Sequence, residues 1–264
     1  MRLIGMRILV INPNTTASMT AKIGKVAASV ASAGTEIVSV NPGDGPPSIE
    51  GYYDEVFAIP GIVAEMSKAA AIDAYVIACF DDTGLDAARC AAEAPVIGIG
   101  EAAFHLASLV AGKFSVVTTL ARSVPAIEHN LAKYGLASRC AKVRSSEVAV
   151  LDLELPGSDA RARISDEIAR AINEDRAEAI VLGCAGMADL ASSLSEEHGV
   201  PVLDGVACAV TLAESLFRVG LRTSKIGGYA APRGKRFSGI YESLSPAGAA
   251  AAIPPTQNAP GPTN

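Results

Sequence analysis

The chain has 264 residues, half of them hydrophobic, 5% aromatic and none tryptophan, and a formal net charge of −6. That length allows one large domain or two small ones and excludes a disulfide-stapled module, while the acidic balance supplies no general attraction for a polyanion, so nucleic acid is not expected as a partner. Every apolar run is broken by charge, Gly or Pro before the ~18 residues a bilayer span needs, and the five cysteines contain no CxxC spacing, which fits neither a disulfide framework nor a zinc knuckle.

The N-terminal MRLIGMRILVINPN has no basic region followed by a long apolar segment and a small-residue cleavage site. A soluble, cytoplasmic protein is expected, with no membrane partner. From RILVIN onward, short apolar runs alternate with Ala-rich amphipathic stretches. The strand RILVIN precedes a helix over 17–32, EIVSVN precedes one over 58–71, AYVIACF one over 83–92 and PVIGI one over 101–111. The rhythm restarts at KFSVVTTL, with a helix near 125–134, a strand over 139–145 and a helix over 159–174. It ends with AIVLGCA, a helix over 187–197, PVLDG and a helix over 206–219. The strands are continuous rather than alternating apolar runs, as in parallel sheets covered on both faces. The fold class is therefore α/β: two pseudo-twofold-related lobes, each a mostly parallel sheet flanked by helices, with the active site in the cleft between them. Residues 1–112, joined by about 205–240, form the first lobe, and 113–204 the second. The Pro-, Gly- and Ala-rich segment 245–264 predicts a disordered tail.

An internal repeat sharpens this picture. DAYVIACFDDTGL (73–85) and EAIVLGCAGMADL (178–190) match position by position: acidic residue, Ala, three apolar residues, a small residue, Cys, then Leu six further on. PVIGIGEAA and PVLDGVACA follow the two cysteines at nearly the same distance. Duplication makes Cys79 and Cys184 mates across a cleft.

A cysteine at the carboxyl end of a buried parallel strand lies beside the free N–H groups and positive dipole end of the next helix, which favour thiolate. The small neighbours Ala78, Gly183, Ala185 and Gly186 let a ligand approach the sulfurs. A lone free cysteine is more often a small core residue; two at equivalent positions of a repeat point to chemistry. Two unbonded thiols facing one another suit inversion at carbon, because one face needs a base and the other an acid, and the roles exchange with substrate hand. NPNTT, between a strand and a helix, places Asn14 and Thr15 where caps and helix N–H groups can bind a carbonyl or oxyanion. Thr118 and Thr119 occupy the matching place in the second half. Such a neutral lining suits a cyclic imide.

The segments VINPNTTASMT, SIEGYYDE, IACFDDTGLDAAR, PVIGIGEAAFHLASL, FSVVTTLAR, IVLGCAGMADL and RTSK, in order from residue 7 to about 230, resemble the hydantoin racemase family, allantoin racemases included, within the aspartate/glutamate racemase superfamily. The resemblance implies catalytic acid/base roles for Cys79 and Cys184 and substrate contacts at Asn14, Thr15, Thr118 and Thr119. It also implies a mobile SIEGYYDE loop with Ser48 and Ile49 nearest the substrate. Phe80, Gly183, Ala185 and Gly186, beside the two cysteines, complete the expected binding set. No cofactor and no metal are expected. The substrate partner is a small cyclic ureide such as a 5-substituted hydantoin, and Ala-rich helix surfaces suggest a homo-oligomer. Two other readings stay open: a sister reaction of the superfamily, arylmalonate decarboxylation or maleate isomerisation, and a non-catalytic cyclic-ureide binder.

One departure is visible, because family members often read Cys-Phe-Gly-Asp-Pro-Gly where this chain has Cys-Phe-Asp-Asp-Thr-Gly. Asp81 and Asp82 directly precede a helix, so Asp81 is expected to cap that helix or face solvent. Were it to face Cys79, it would raise the thiol pKa. His105 is expected in the core or an interface, His129 and His198 in solvent, and Cys90, Cys140 and Cys208 as packing residues. The glycines of GIGEAA fall short of a nucleotide-binding pattern.

Overall fold

The computed structural model describes residues 5–246; the segment expected to be disordered lies outside them except for its first two residues. The chain builds two four-stranded, all-parallel sheets. The first contains β1 (Met6–Ile11), β2 (Thr35–Val40), β3 (Ala74–Ile77) and β4 (Val96–Gly98) in the order β2-β1-β3-β4. The second contains β5 (Phe114–Thr118), β6 (Cys140–Ser145), β7 (Ala179–Gly183) and β8 (Val202–Asp204) in the equivalent order β6-β5-β7-β8. The helices are α1 (Ala17–Val30), α2 (Tyr52–Lys68), α3 (Leu85–Ala91), α4 (Ile99–Val110), α5 (Val124–Lys133), α6 (Ala160–Asp175), α7 (Ala191–His198) and α8 (Gly205–Arg218).

The central strands are buried on both faces, which is why they read as unbroken apolar runs: all five residues of β5 and of β7 are buried, as are five of the six in β1. In both sheets the connections leave the two central strands in opposite directions. The crevice at the carboxyl ends of β1 and β3, and its counterpart at β5 and β7, is therefore the place where open α/β sheets bind ligands.

The lobes are bound together by exchanged helices. Helix α4 follows β4 of the first sheet yet packs against β7 of the second, while α8 follows β8 and packs against β3 and β4 of the first. The two helices lie against each other, so a single core runs through both sheets. Phe104 on α4 is fully buried at its centre, edge-on to Phe80 at 5.4 Å between ring centroids and stacked with Phe114 of β5 at 6.0 Å. This aromatic column stands directly behind the turn that carries Cys79.

Most predicted elements differ from the observed ones only at their ends. Helix α2 begins six residues earlier than the sequence pattern indicates, because its first turn carries Tyr52, Tyr53, Asp54 and Glu55, of which both tyrosines are exposed and break the apolar period. The helix expected over 187–197 starts with a 3-10 segment, Ala185–Leu190, and becomes α-helical only at Ala191. Among the described residues no helix is long and apolar enough to cross a membrane.

Candidate active site

The carboxyl ends of the central strands meet across the lobe boundary and enclose about 410 Å³ of empty space, open solvent at the mouth included. Cys79 enters from the turn after β3 and Cys184 from the residue directly after β7. Asn12, Asn14 and Ile49 come from the first lobe, and Thr119, Ser123, Val150, Gly183 and Ala185 from the second. Neither cysteine is disulfide-bonded. Eight of the residues singled out from the sequence therefore share one wall: Asn14, Ile49, Cys79, Phe80, Thr119, Gly183, Cys184 and Ala185.

Four others lie off that wall. Thr15 donates both its main-chain N–H (3.0 Å) and its hydroxyl (3.4 Å) to the Pro46 carbonyl, which ties it to the loop after β2. Ser48 is half-buried just before Ile49. The Thr118 hydroxyl is spent inside the sheet, donating to the Gly183 carbonyl at 3.0 Å. Gly186 sits one layer back, where a side chain would meet Leu153, Met19 and the Cys184 sulfur. Phe80 contributes to the wall, but its ring is buried against Phe104.

The Asn-Pro-Asn turn is rigid. Asn12 Nδ2 donates to Asn14 Oδ1 (2.9 Å) and to the Thr20 hydroxyl (3.0 Å), and the Thr16 N–H also donates to Asn14 Oδ1 (2.9 Å). Asn14 Nδ2 meets only the Met19 thioether, at 3.3 Å, a weak acceptor. That amide is therefore available to a carbonyl in the cleft. Two contacts close the lobes over the site. The Val150 N–H donates to Glu50 Oε1 at 2.8 Å, and Lys22 of α1 pairs with Glu154 at 2.8 Å.

The Cys79 turn is pinned from the opposite lobe. Asn130 Nδ2 of α5 donates to the Asp81 carbonyl oxygen at 2.8 Å, and the Tyr134 hydroxyl donates to Asp82 Oδ2 at 2.8 Å. Asp82 is buried, adopts a positive φ of 52° and also accepts from the N–H groups of Gly100 (3.0 Å) and Glu101 (2.8 Å). It thus caps α4 rather than the helix that follows it in sequence. The two glycines of GIGEAA make room for this turn, since a side chain at Gly98 would strike the Asp82 carboxyl and one at Gly100 the Phe80 carbonyl oxygen.

This arrangement corrects the reading of Asp81. With Asp82 taking the capping role, Asp81 turns neither to solvent nor to a helix end but lines the cleft beside Cys79. Burial, then the negative charges of Glu55 and Asp82, push its carboxyl up to about 8. The expectation that strand-end placement favours thiolate is also overturned. Burial, and after it the charge of Asp81, hold the Cys79 thiol well above its ordinary value, against the opposing hydrogen bonds of the Thr83 hydroxyl (3.3 Å) and the Asp81 N–H. Burial likewise pushes Cys184 up to about 12, opposed by the Gly186 N–H and, more weakly, by Lys22, with Asp81 adding to the rise. Desolvation of the sulfurs outweighs the backbone donors around them.

His105 is exposed on α4 rather than part of the core, and His198 is not free in solvent but bonds the Ser165 hydroxyl at 2.8 Å. Among the wall residues the sequence did not single out, Ser123 had a usable signal, a serine just before Pro125 at the start of a helix. Val150 on the wall had none, nor had Asn130 and Tyr134 behind the Cys79 turn, because a loop and a neighbouring lobe place them.

Residues 8–213 match the family model described as Asp/Glu/Hydantoin racemase. A hydantoin racemase of Rhizobium meliloti is 50% identical over 236 residues, covering 89% of this chain and 98% of that protein. One from Pseudomonas sp. (strain NS671) is 46% identical over 241 residues, covering 90% and 97%. Among solved structures, an allantoin racemase from Klebsiella pneumoniae is 47% identical and superposes with a TM-score of 0.89, covering 91% of this chain and 99% of that one.

Proposed function

The chain belongs to the Asp/Glu/Hydantoin racemase family, and from that premise we propose that it racemises 5-substituted hydantoins, allantoin among them, by a two-thiol mechanism without a cofactor. The observation that carries this reading is the convergence of Cys79 and Cys184, at equivalent positions of the two halves, on one otherwise largely neutral cleft. One sulfur, as thiolate, takes the C5 proton. The electron pair left on carbon delocalises onto the adjacent ring carbonyl oxygen as an enolate, and the opposite sulfur, as thiol, delivers its proton to the other face. Sulfur protonation is then reversed, and the enzyme is set for the opposite hand. Asn14 Nδ2 and the hydroxyls of Thr119 and Ser123 are the side-chain donors on the wall that can hold ring carbonyls and the developing oxyanion.

The raised thiol pKa values bear on the same step. A thiolate whose conjugate acid has a raised pKa is a stronger base once formed, which suits removal of a weakly acidic carbon-bound proton. The test is optical rotation of the separate L- and D-enantiomers of 5-benzylhydantoin and of allantoin with purified protein and no added cofactor, run in parallel in deuterated buffer. Rotation of either compound decaying to zero from both hands, with deuterium entering C5, is the expected result. Tight binding of either compound with no decay and no deuterium uptake would instead identify a binder.

A further inference from the structure

We propose that Asp81 selects the substituent at the reacting carbon: its carboxyl accepts a hydrogen bond from an N–H donor on that substituent, so ureido- and amide-bearing cyclic ureides are preferred to alkyl- or aryl-bearing ones. The proposal rests on the racemase reading above for its substrate, and on four observations for the residue.

The first is chemical. Among the described residues Asp81 is the one carboxyl on the wall of the cleft, which elsewhere offers amides, hydroxyls, thiols and apolar groups. Ionised or protonated, a carboxyl keeps an acceptor oxygen, and a single such group in a neutral site discriminates between ligands that bring a donor and ligands that do not. The second is that the carboxyl is open to a ligand: among the described residues no side chain or amide donates to it, in contrast to its neighbour Asp82, which takes three donors. The third is that it is aimed. Its own carbonyl is held by Asn130 and the following residue is locked by Tyr134 and the start of α4, so the main chain cannot rotate the carboxyl out of the cleft.

The fourth is its position relative to the reaction. Asp81 shares the wall of the cleft with both sulfurs, two residues beyond Cys79, and its charge bears on each of them. When C5 becomes planar, its substituent lies in the plane between the sulfurs, the region Asp81 borders. An ionised carboxylate there opposes thiolate formation on both sides, so for proton transfer alone it is adverse. A donor on the substrate offsets that charge. The position is also where the chain departs from the Gly of the family pattern while both cysteines stay in place, as expected of a residue that tunes the choice of substrate and not the proton transfer.

The experiment compares allantoin, whose C5 carries a ureido group, with 5-isobutylhydantoin, whose substituent has the same branching and number of heavy atoms but no N–H. In wild type and in Asp81→Gly, kcat/KM is measured for both. Loss of a hydrogen bond that leaves a substrate donor unpaired in the cleft corresponds to roughly 10- to 100-fold, so the allantoin-to-isobutyl ratio is expected to fall about tenfold or more in the variant. A ratio that stays within threefold, or rises, overturns the proposal. Calorimetric titration of the wild-type protein with the racemate of each compound, in which no net reaction takes place, reads the same preference without a variant. Allantoin is expected to bind the more tightly, and equal or reversed affinities overturn the proposal. Racemisation of neither compound would refute the racemase reading, while the affinities would still decide the role of Asp81.

Discussion

The turn that carries Cys79 and the turn that carries Cys184 occupy the same place in two copies of one topology, yet they are built in opposite ways. The first is acidic and externally braced: the charges of Asp81 and Glu55 bear on the thiol, that of Asp82 bears on Asp81, and Asn130 and Tyr134 reach across from the other lobe to hold the Asp81 carbonyl and the Asp82 carboxyl. The second is small and neutral: Gly183, Ala185 and Gly186 flank the sulfur, whose opposing influences are a backbone N–H and Lys22. Duplication therefore sets where the sulfurs stand, and each local turn sets how tightly its sulfur holds a proton. A racemase tolerates this asymmetry. Its two substrates are equal in free energy, so kcat/KM must be the same in both directions, whichever sulfur is the better base.

The comparison can be broken most sharply at the sulfurs. Cys79→Ser and Cys184→Ser are each expected to reduce racemisation by about 10²- to 10⁴-fold, the range for loss of a positioned acid or base, measured by optical rotation. Near-full activity in either variant would remove the equivalence of the two turns.

The bracing of the first turn is sharpened by Tyr134→Phe, which takes one of three donors from buried Asp82. The cost is expected to be about 1–3 kcal/mol, read as a fall in Tm of roughly 2–10 °C. The corresponding loss in kcat/KM should affect every substrate alike, because Tyr134 touches the turn and not the cleft. An unchanged Tm would show that the brace carries no load.

The smallest expected effect is electrostatic. A carboxyl whose pKa rises on folding, as that of Asp81 does to about 8, binds its proton more tightly folded than unfolded. Its contribution to stability is present below about pH 4 and is lost as pH rises toward about 8. In Asp81→Asn the fall of Tm with pH across that window should become shallower. In the same variant the thiols lose a neighbouring negative charge. The rise of kcat/KM with pH that accompanies thiolate formation should then begin at lower pH, by about one unit. An unchanged pH profile would mean that Asp81 does not act on the sulfurs.

Much of this architecture was legible in the residues. Unbroken apolar runs marked the buried strands, and the match of DAYVIACFDDTGL with EAIVLGCAGMADL exposed the duplication and the paired cysteines, because both are properties of short contiguous segments. The direction of Asp81 was not legible, since two adjacent aspartates before a helix leave open which one caps. The choice was settled by Tyr134, more than fifty residues away, and by the N-terminus of α4. Thr15 and Thr118 illustrate the same limit: a hydroxyl at a strand end can face a ligand or satisfy a neighbouring carbonyl, and here both are drawn to carbonyls. The thiol pKa shifts were misjudged in sign because helix-end donors are visible in a sequence pattern and the depth of burial is not.

The most direct test of opposed sulfurs is deuterium uptake at C5 by the two single variants, followed separately for each enantiomer of 5-benzylhydantoin. Each variant should exchange the proton of one hand with solvent, through its remaining cysteine, without inverting it, and the favoured hand should be opposite in Cys79→Ser and Cys184→Ser. Exchange of the same hand by both variants, or continued inversion in either, would contradict a cleft in which the two cysteines serve opposite faces of one carbon.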